Sequence, residues 1–336
     1  MKAKKTELIT GLDIGSVSVK YVQVLKTKQG TQLHRAALTP LSADMDVRQA
    51  LEKMGLSSTG HVRSSLSGPS VIIRRVSMPL LSAGELQGAI RFEAENHIPF
   101  PIDECVLDYQ VLNRDTAKKQ MNVMLTAAKR DILDTRYRLL SELKMNTEII
   151  DLDIFCLINA FETLNPNHGE TQYGLLNIGH NMSWFVILSA TDPVFVREIG
   201  CGGAHVTKAL AEVKTVSETE AEDLKIKKPA GEEANLKSAT QKGFEPLSEE
   251  IRRSIDYVEN ESKQEVKKIY VSGGGALAAD TLETLSAQTG KTASFWDSAK
   301  NLTILPEADV AFVRDHSIEL AIALGLAVRG FWGSQK

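Results

Sequence analysis

The sequence predicts an α/β protein of two lobes built from duplicated halves, with a ligand site between them. Three observations carry this. An apolar run, Leu8-Ile9-Thr10-Gly11-Leu12, leads into Asp13-Ile14-Gly15-Ser16 and Lys20, which reads as a strand, a tight glycine turn and a second strand. A partial echo, Leu176-Asn177-Ile178-Gly179-His180, again precedes an apolar strand at 184–188, with Gly179 lying 164 residues after Gly15 in a chain of 336. A third glycine turn, Gly273-Gly274-Gly275, follows a short strand at 268–271. The length allows about two domains, and pockets favour domain interfaces.

The elements follow in order. Apolar alternation predicts strands at 8–13, 17–25 and 32–38, a short helix at 47–54, and strands at 62–66 and 71–78. Ser82-Ala83-Gly84-Glu85 is a capping box, so a helix starts there. It must stop by Ile98, because Pro99 and Pro101 follow. Strands at 106–112 and 121–127 precede a helix with Ile132, Leu133, Leu139, Leu140 and Leu143 on its apolar side. The second half opens with a strand at 147–151, a helix at 154–164, the second glycine hairpin at 173–178 and 184–188, and a strand at 193–199. Residues 226–248 contain four large apolar side chains and Pro229, Gly231, Gly243 and Pro246, which predicts a loop or mobile excursion. An amphipathic helix led by Ser248, Glu249 and Glu250 follows, then a helix from about 277 and a final one at 317–328.

Composition excludes several classes. A net charge of −4 gives no reason to expect nucleic acid, and Lys2, Lys4 and Lys5 read as a solvated end. Cys105, Cys156 and Cys201 are far apart with no metal-ligand spacing, which fits a reducing compartment without structural zinc. No signal-peptide pattern follows Met1, and the longest helix-like apolar stretch, 318–328, contains Glu319 and is far short of a bilayer span. The expected location is cytoplasmic, at a membrane only through a partner.

Backbone N–H groups at the first turn, with the Ser16 hydroxyl and Lys20, form a concavity suited to phosphate, and Asp13 is placed to hold the water shell of a Mg²⁺. Gly273-x-Gly275-x-x-Ala278, with Asp297 downstream, fits a dinucleotide fingerprint. The same glycines equally fit close backbone packing at a turn, and the dinucleotide reading leaves the paired hairpins unexplained.

The three glycine turns together resemble the actin-like ATPase superfamily. Asp13, Gly15 and Lys20 match its first phosphate loop, Gly179 its second, and Gly273 and Gly274 its adenosine-side turn. Glu222-x-x-Lys225 resembles a nucleoside-contacting pair, and equally fits an exposed i, i+3 helix pair. Within the superfamily the chain resembles the PilM family of type IV pilus assembly. The stretches that carry this include Phe92-Glu93-Ala94-Glu95-Asn96-His97-Ile98-Pro99-Phe100-Pro101, Ile149-Ile150-Asp151-Leu152-Asp153 and Arg197-Glu198-Ile199-Gly200-Cys201-Gly202-Gly203. The tail after Val328 is too short for the membrane-binding helix that ends FtsA, the division relative.

The resemblance implies an actin-like two-lobed ATPase fold, duplicated ribonuclease H-like domains with a small inserted α+β subdomain. It places the first lobe core at 1–79, the insert at 80–146 and the second lobe at 147–336. Within the last, 205–265 forms a helical and loop subdomain, and the helix at 317–329 returns to the first lobe. It implies ATP and Mg²⁺ held by Asp13, Gly15, Ser16, Ser18, Lys20, Asn177, Gly179, Glu222, Lys225, Gly273, Gly274 and Gly275, with Asp13 binding Mg²⁺ through water. Asp153 stands near the superfamily's water-positioning residue, and equally fits a helix N-cap. The implied partners are the N-terminal tail of a PilN-like inner-membrane protein and other pilus alignment components, with self-association and no membrane insertion of its own.

One departure bears on mechanism. The family's second loop begins with Asp, where this chain has Asn177, and His180 replaces a small residue. Losing that charge predicts ATP binding with slow or no hydrolysis. The other readings are a nucleotide-free scaffold, like the cytoplasmic part of the type II secretion protein GspL, and a filament-forming division-type ATPase.

Overall fold

A six-stranded and a five-stranded sheet each begin with a three-strand meander whose first hairpin turns on a glycine. The computed structural model describes residues 7–27, 30–56, 61–165, 171–190 and 192–330; Lys2, Lys4, Lys5 and the tail from Phe331 lie outside them. In the first half β1 (Glu7–Ile14), β2 (Ser18–Thr27) and β3 (Gly30–Pro40) form the meander, followed by α1 (Val47–Lys53) and β4 (His61–Leu66), which runs parallel to β1. In the second, α4 (Asp153–Leu164) leads to β9 (Gln172–Ile178), β10 (Ser183–Ser189) and β11 (Asp192–Ile199), and β12 (Lys268–Ser272) lies parallel to β9.

A third, three-stranded sheet lies between the halves in sequence. It comprises β5 (Val71–Pro79), β6 (Cys105–Asp115) and β7 (Gln120–Lys129), in the order β5-β7-β6. Its helix α2 (Ala83–His97) starts at the capping box, where the Ser82 amide donates to Glu85 Oε2 at 2.8 Å, and ends before Ile98-Pro99. Helix α3 (Arg130–Glu142) returns the chain to β8 (Thr147–Leu152), parallel to β4.

Two boundaries shift from the sequence expectation. β5, expected in the first lobe core, pairs along its whole length with β7, so the insert's sheet begins at Val71. β8, expected in the second lobe, completes the first sheet, order β14-β3-β2-β1-β4-β8, where β14 (Thr303–Ile304) also joins. A strand's alternation reports burial but not its partner.

The segment at 226–248 is helical rather than loop. After α5 (Gly203–Lys214) come α6 (Glu218–Lys227), α7 (Glu233–Gly243) and α8 (Glu245–Ser262). Helix α7 buries Leu236, Ala239, Thr240 and Gly243, and a Cβ on Gly243 would lie 2.7 Å from Val206 Cα in α5. Close approach of small residues replaces the large apolar side chains that the sequence lacks. Pro246 lies in the first turn of α8, where a missing N–H costs no helix bond, so that helix starts earlier than expected. The helix expected from 277 is α9 (Thr281–Thr289), since a single 3₁₀ turn at Gly274–Leu277 intervenes. Beyond it lie β13 (Thr292–Phe295) and α10 (Val310–Asp315).

The final helix, α11 (Ala321–Val328), starts four residues later than expected and is buried throughout. A Cβ on Gly11 would lie 2.0 Å from Ala323 O, and one on Gly325 would lie 1.8 Å from Cys156 O. The helix is clamped between β1 and α4 by these two glycines.

Candidate functional site

The two glycine turns are closed in the same way. The Gly15 N–H donates to Ser18 O at 3.0 Å, and the Gly179 N–H to Met182 O at 2.9 Å. Strand register puts Asp13 opposite Lys20 and Asn177 opposite Trp184, so the halves correspond position by position. The chemistry differs. Lys20 Nζ lies 3.0 Å from Asp13 Oδ2, with both side chains buried, and Ser16 is exposed at the tip of the turn. In the second half Asn177 Nδ2 donates to Ser272 Oγ at 3.0 Å, and an indole stands where the first half has its ammonium. One turn holds an ion pair; the other is neutral.

Asp153 joins the first turn from below. It is the first residue of α4, with Leu152 as the N-cap, so the capping alternative does not hold. Burial and the nearby Asp13 carboxylate raise its pKa above the ordinary value, opposed by the hydroxyls of Ser65 and Ser67 and by Arg136. Arg136 comes from α3: Nη1 donates to Ser64 Oγ at 3.0 Å and Nη2 points to Ile14 O at 3.5 Å. Glu198 of β11 reaches across from the second sheet and accepts the Gly68 N–H at 3.0 Å. Burial raises its carboxyl, the Gly68 amide opposes this, and Asp153 adds to it.

Around the second turn the backbone is packed without room for side chains. A Cβ on Gly273, which has φ +92°, would lie 2.4 Å from Ile178 O, and one on Gly275 the same distance from Gly179 O. The Gly203 N–H donates to Gly179 O at 2.9 Å, and Ala204 N–H to His180 O at 2.8 Å. Glu222 and Lys225 are placed beside this group: Lys225 Nζ reaches Glu222 Oε2 at 2.7 Å, Thr207 Oγ1 at 2.8 Å and Gly203 O at 3.0 Å. The exposed-pair alternative fails for Lys225, which is buried with three acceptors around its ammonium. His180 is half-buried. Burial lowers its pKa, Glu222 opposes this, and Lys225 adds to it.

The sequence-predicted residues therefore form two groups. Asp13, Gly15, Ser16, Ser18, Lys20 and Asp153 lie at the end of the first sheet. Asn177, Gly179, Gly273, Gly274, Gly275, Glu222 and Lys225 lie at the end of the second. Sequence reasoning missed Arg136, Glu198, Thr207 and the Gly202-Gly203 turn. Only the glycine pair carries a local signal; the others come from elements that reach the site by tertiary packing.

A separate groove of about 650 Å³ runs between the insert and the rest. Its walls include Leu66, Leu112, Leu133, Phe155 and Ile158, with Asp108 and Asp192 among the polar groups. Arg329 lies in it too, 2.8 Å from Asp151. The terminal strand of each of the three sheets borders it: β6, β8 and β11.

Solved structures share this arrangement. A chain of a PilM–PilN type IV pilus biogenesis complex matches with a TM-score of 0.82 at 23% identity, over 96% of this chain and 98% of that one. EutJ from Carboxydothermus hydrogenoformans matches at 0.53 and 13%, over 98% and 91%. MreB5 of Spiroplasma citri, bound to ADP, matches at 0.51 and 9%, over 98% and 97%. The fold is thus the two-lobed actin-like ATPase fold with an inserted subdomain, and the dinucleotide reading of Gly273 to Ala278 gives way to glycines required by close packing. Among the described residues no helix is long and apolar enough to cross a membrane. A family model described as type IV pilus assembly protein PilM matches residues 11–331, and the chain belongs to that family.

Proposed function

We propose that this protein is a cytoplasmic nucleotide-binding platform of type IV pilus assembly. It holds ATP–Mg²⁺ between its two glycine turns, hydrolyses it slowly or not at all, and is kept at the inner membrane by the N-terminal tail of a PilN-like protein. The paired turns, one charged and one neutral, carry this reading. The N–H groups at the turn tips, other than the Gly15 and Gly179 amides that close the turns, and Lys20 suit phosphate oxygens. Asp13 and Asp153 supply the carboxylates a hydrated Mg²⁺ takes alongside phosphate, and the metal would neutralise phosphate charge. Asn177 accepts through its carbonyl but brings no charge, so the second turn is a weak site for orienting an attacking water.

A thermal-shift titration tests it. At a hundredfold excess over Kd, ATP–Mg²⁺ stabilises the folded state by about 2.7 kcal/mol, a rise of a few degrees. The Asp13→Asn/Lys20→Met double variant is expected to show none. No shift for the wild type at millimolar ATP favours the nucleotide-free scaffold, which the neutral second turn also supports. Phosphate release is expected at background; robust turnover abolished by Asp13→Ala overturns slow hydrolysis.

The groove is the proposed seat of the partner tail. In the matched complex PilM is paired with PilN, and edge strands take extended peptides by adding backbone pairs while apolar pockets take alternate side chains. Leu112→Arg is expected to weaken binding of a PilN-like N-terminal peptide at least about tenfold, measured by fluorescence anisotropy, with Tm unchanged. Equal affinity would move the tail elsewhere.

A further inference from the structure

Beside the first glycine turn lies a cation that neither turn supplies. Arg136 is on α3, the helix that leads out of the insert's sheet, yet its guanidinium ends beside the first turn. Three elements converge on it. β4 offers Ser64 Oγ at 3.0 Å, the end of β1 offers Ile14 O at 3.5 Å, and the carboxylates of Asp13 and Asp153 are the charges facing it from β1 and α4. Ser64 itself donates to Leu12 O at 2.9 Å, so the guanidinium is tied to the strand that carries Asp13. The two acids that suit Mg²⁺ are thus flanked by two cations, Lys20 on the neighbouring strand and Arg136 from the insert.

We propose that Arg136 is a positioning residue that makes this cleft prefer a nucleoside triphosphate to a diphosphate, resting on the nucleotide-binding reading above. A triphosphate brings more negative charge to the end of the site where Asp13 and Asp153 already lie. A fixed guanidinium there offsets that charge, and holds the backbone of the first turn through Ile14 O and, by way of Ser64, Leu12 O. With Asn177 in the second turn, the preference falls on the first turn and its neighbours. The same helix carries Leu133 into the apolar groove, one turn before Arg136, so one helix bears both the cation and part of the groove wall.

The test compares ATP–Mg²⁺ and ADP–Mg²⁺ by isothermal titration of the full chain. For Arg136→Ala the ATP Kd is expected to rise about tenfold and the ADP Kd less than about twofold, as for loss of one charge-assisted contact felt by the longer phosphate chain. Arg136→Lys, which keeps the charge, is expected to restore most of the ATP affinity. Equal losses for both nucleotides, or no loss, in a folded variant overturn the proposal while leaving nucleotide binding intact. If Arg136→Ala does not fold, the ATP-to-ADP ratio of Arg136→Gln decides by the same criterion. A wild type that binds neither nucleotide removes the nucleotide-binding reading itself, and this preference with it.

Discussion

Gly325→Ala is expected to cost roughly 4 kcal/mol or more of folding free energy, enough to leave much of the protein unfolded or insoluble. In an exposed helix the same change is favourable by about 1 kcal/mol, because alanine loses less backbone entropy. Here the new Cβ would lie 1.8 Å from Cys156 O, 2.5 Å from its carbonyl carbon and 2.9 Å from its Cα. All three are backbone atoms of α4, which cannot rotate away. Retreat in the other direction is blocked, because Ala323 O and Ala327 N of α11 approach the Gly11 position just as closely. Gly88→Ala is the control: it lies exposed in α2 with nothing within 4 Å of its Cβ, and is expected to be neutral or mildly stabilising. Denaturant unfolding of the two variants measures the contrast, and a Gly325→Ala cost below about 1 kcal/mol would show that α11 is not clamped.

Lys20→Ala is expected to destabilise the protein by about 3 kcal/mol, because removing one partner of a buried ion pair leaves the other charge uncompensated. Asp13 is 7% exposed and, among the described residues, would keep Arg136 as a counter-charge. The Asp13→Asn/Lys20→Met double variant removes both charges and is expected to recover most of that stability. It is not expected to recover nucleotide-dependent stabilisation. This cycle separates holding the fold from holding a ligand. If single and double variants are equally unstable, the pair acts through packing rather than charge.

The residues most legible in the sequence are those whose chemistry is local. The Ser82–Glu85 box and the proline stop after Ile98 mark both ends of α2, since a cap or a missing N–H acts within one helical turn. The Asp13 turn and its echo are legible because a glycine with short polar neighbours between two apolar runs has few alternatives. Residues 226–248 are not, since α7 buries Ala239 and brings Gly243 against the α5 backbone, and small residues give little hydrophobic signal. Pro246 reads as a breaker in the sequence and is a starter in the fold, a distinction that depends on where the helix begins.

By itself the sequence determined the two turns, the presence of Asp13 and Lys20 at the first, and the neutral Asn177 at the second. Each is a matter of residue type at short range. The tertiary structure decided the remainder of the site: that Trp184 occupies the register of Lys20, that Lys225 is enclosed by Gly203, Thr207 and Glu222, and that α3 brings Arg136 to the acids of the first turn. Those contacts span from three residues to more than seventy in sequence, and the longer ones are set by how sheets and helices pack. A single chain read in order shows which groups are present; only folding shows which of them share a charge.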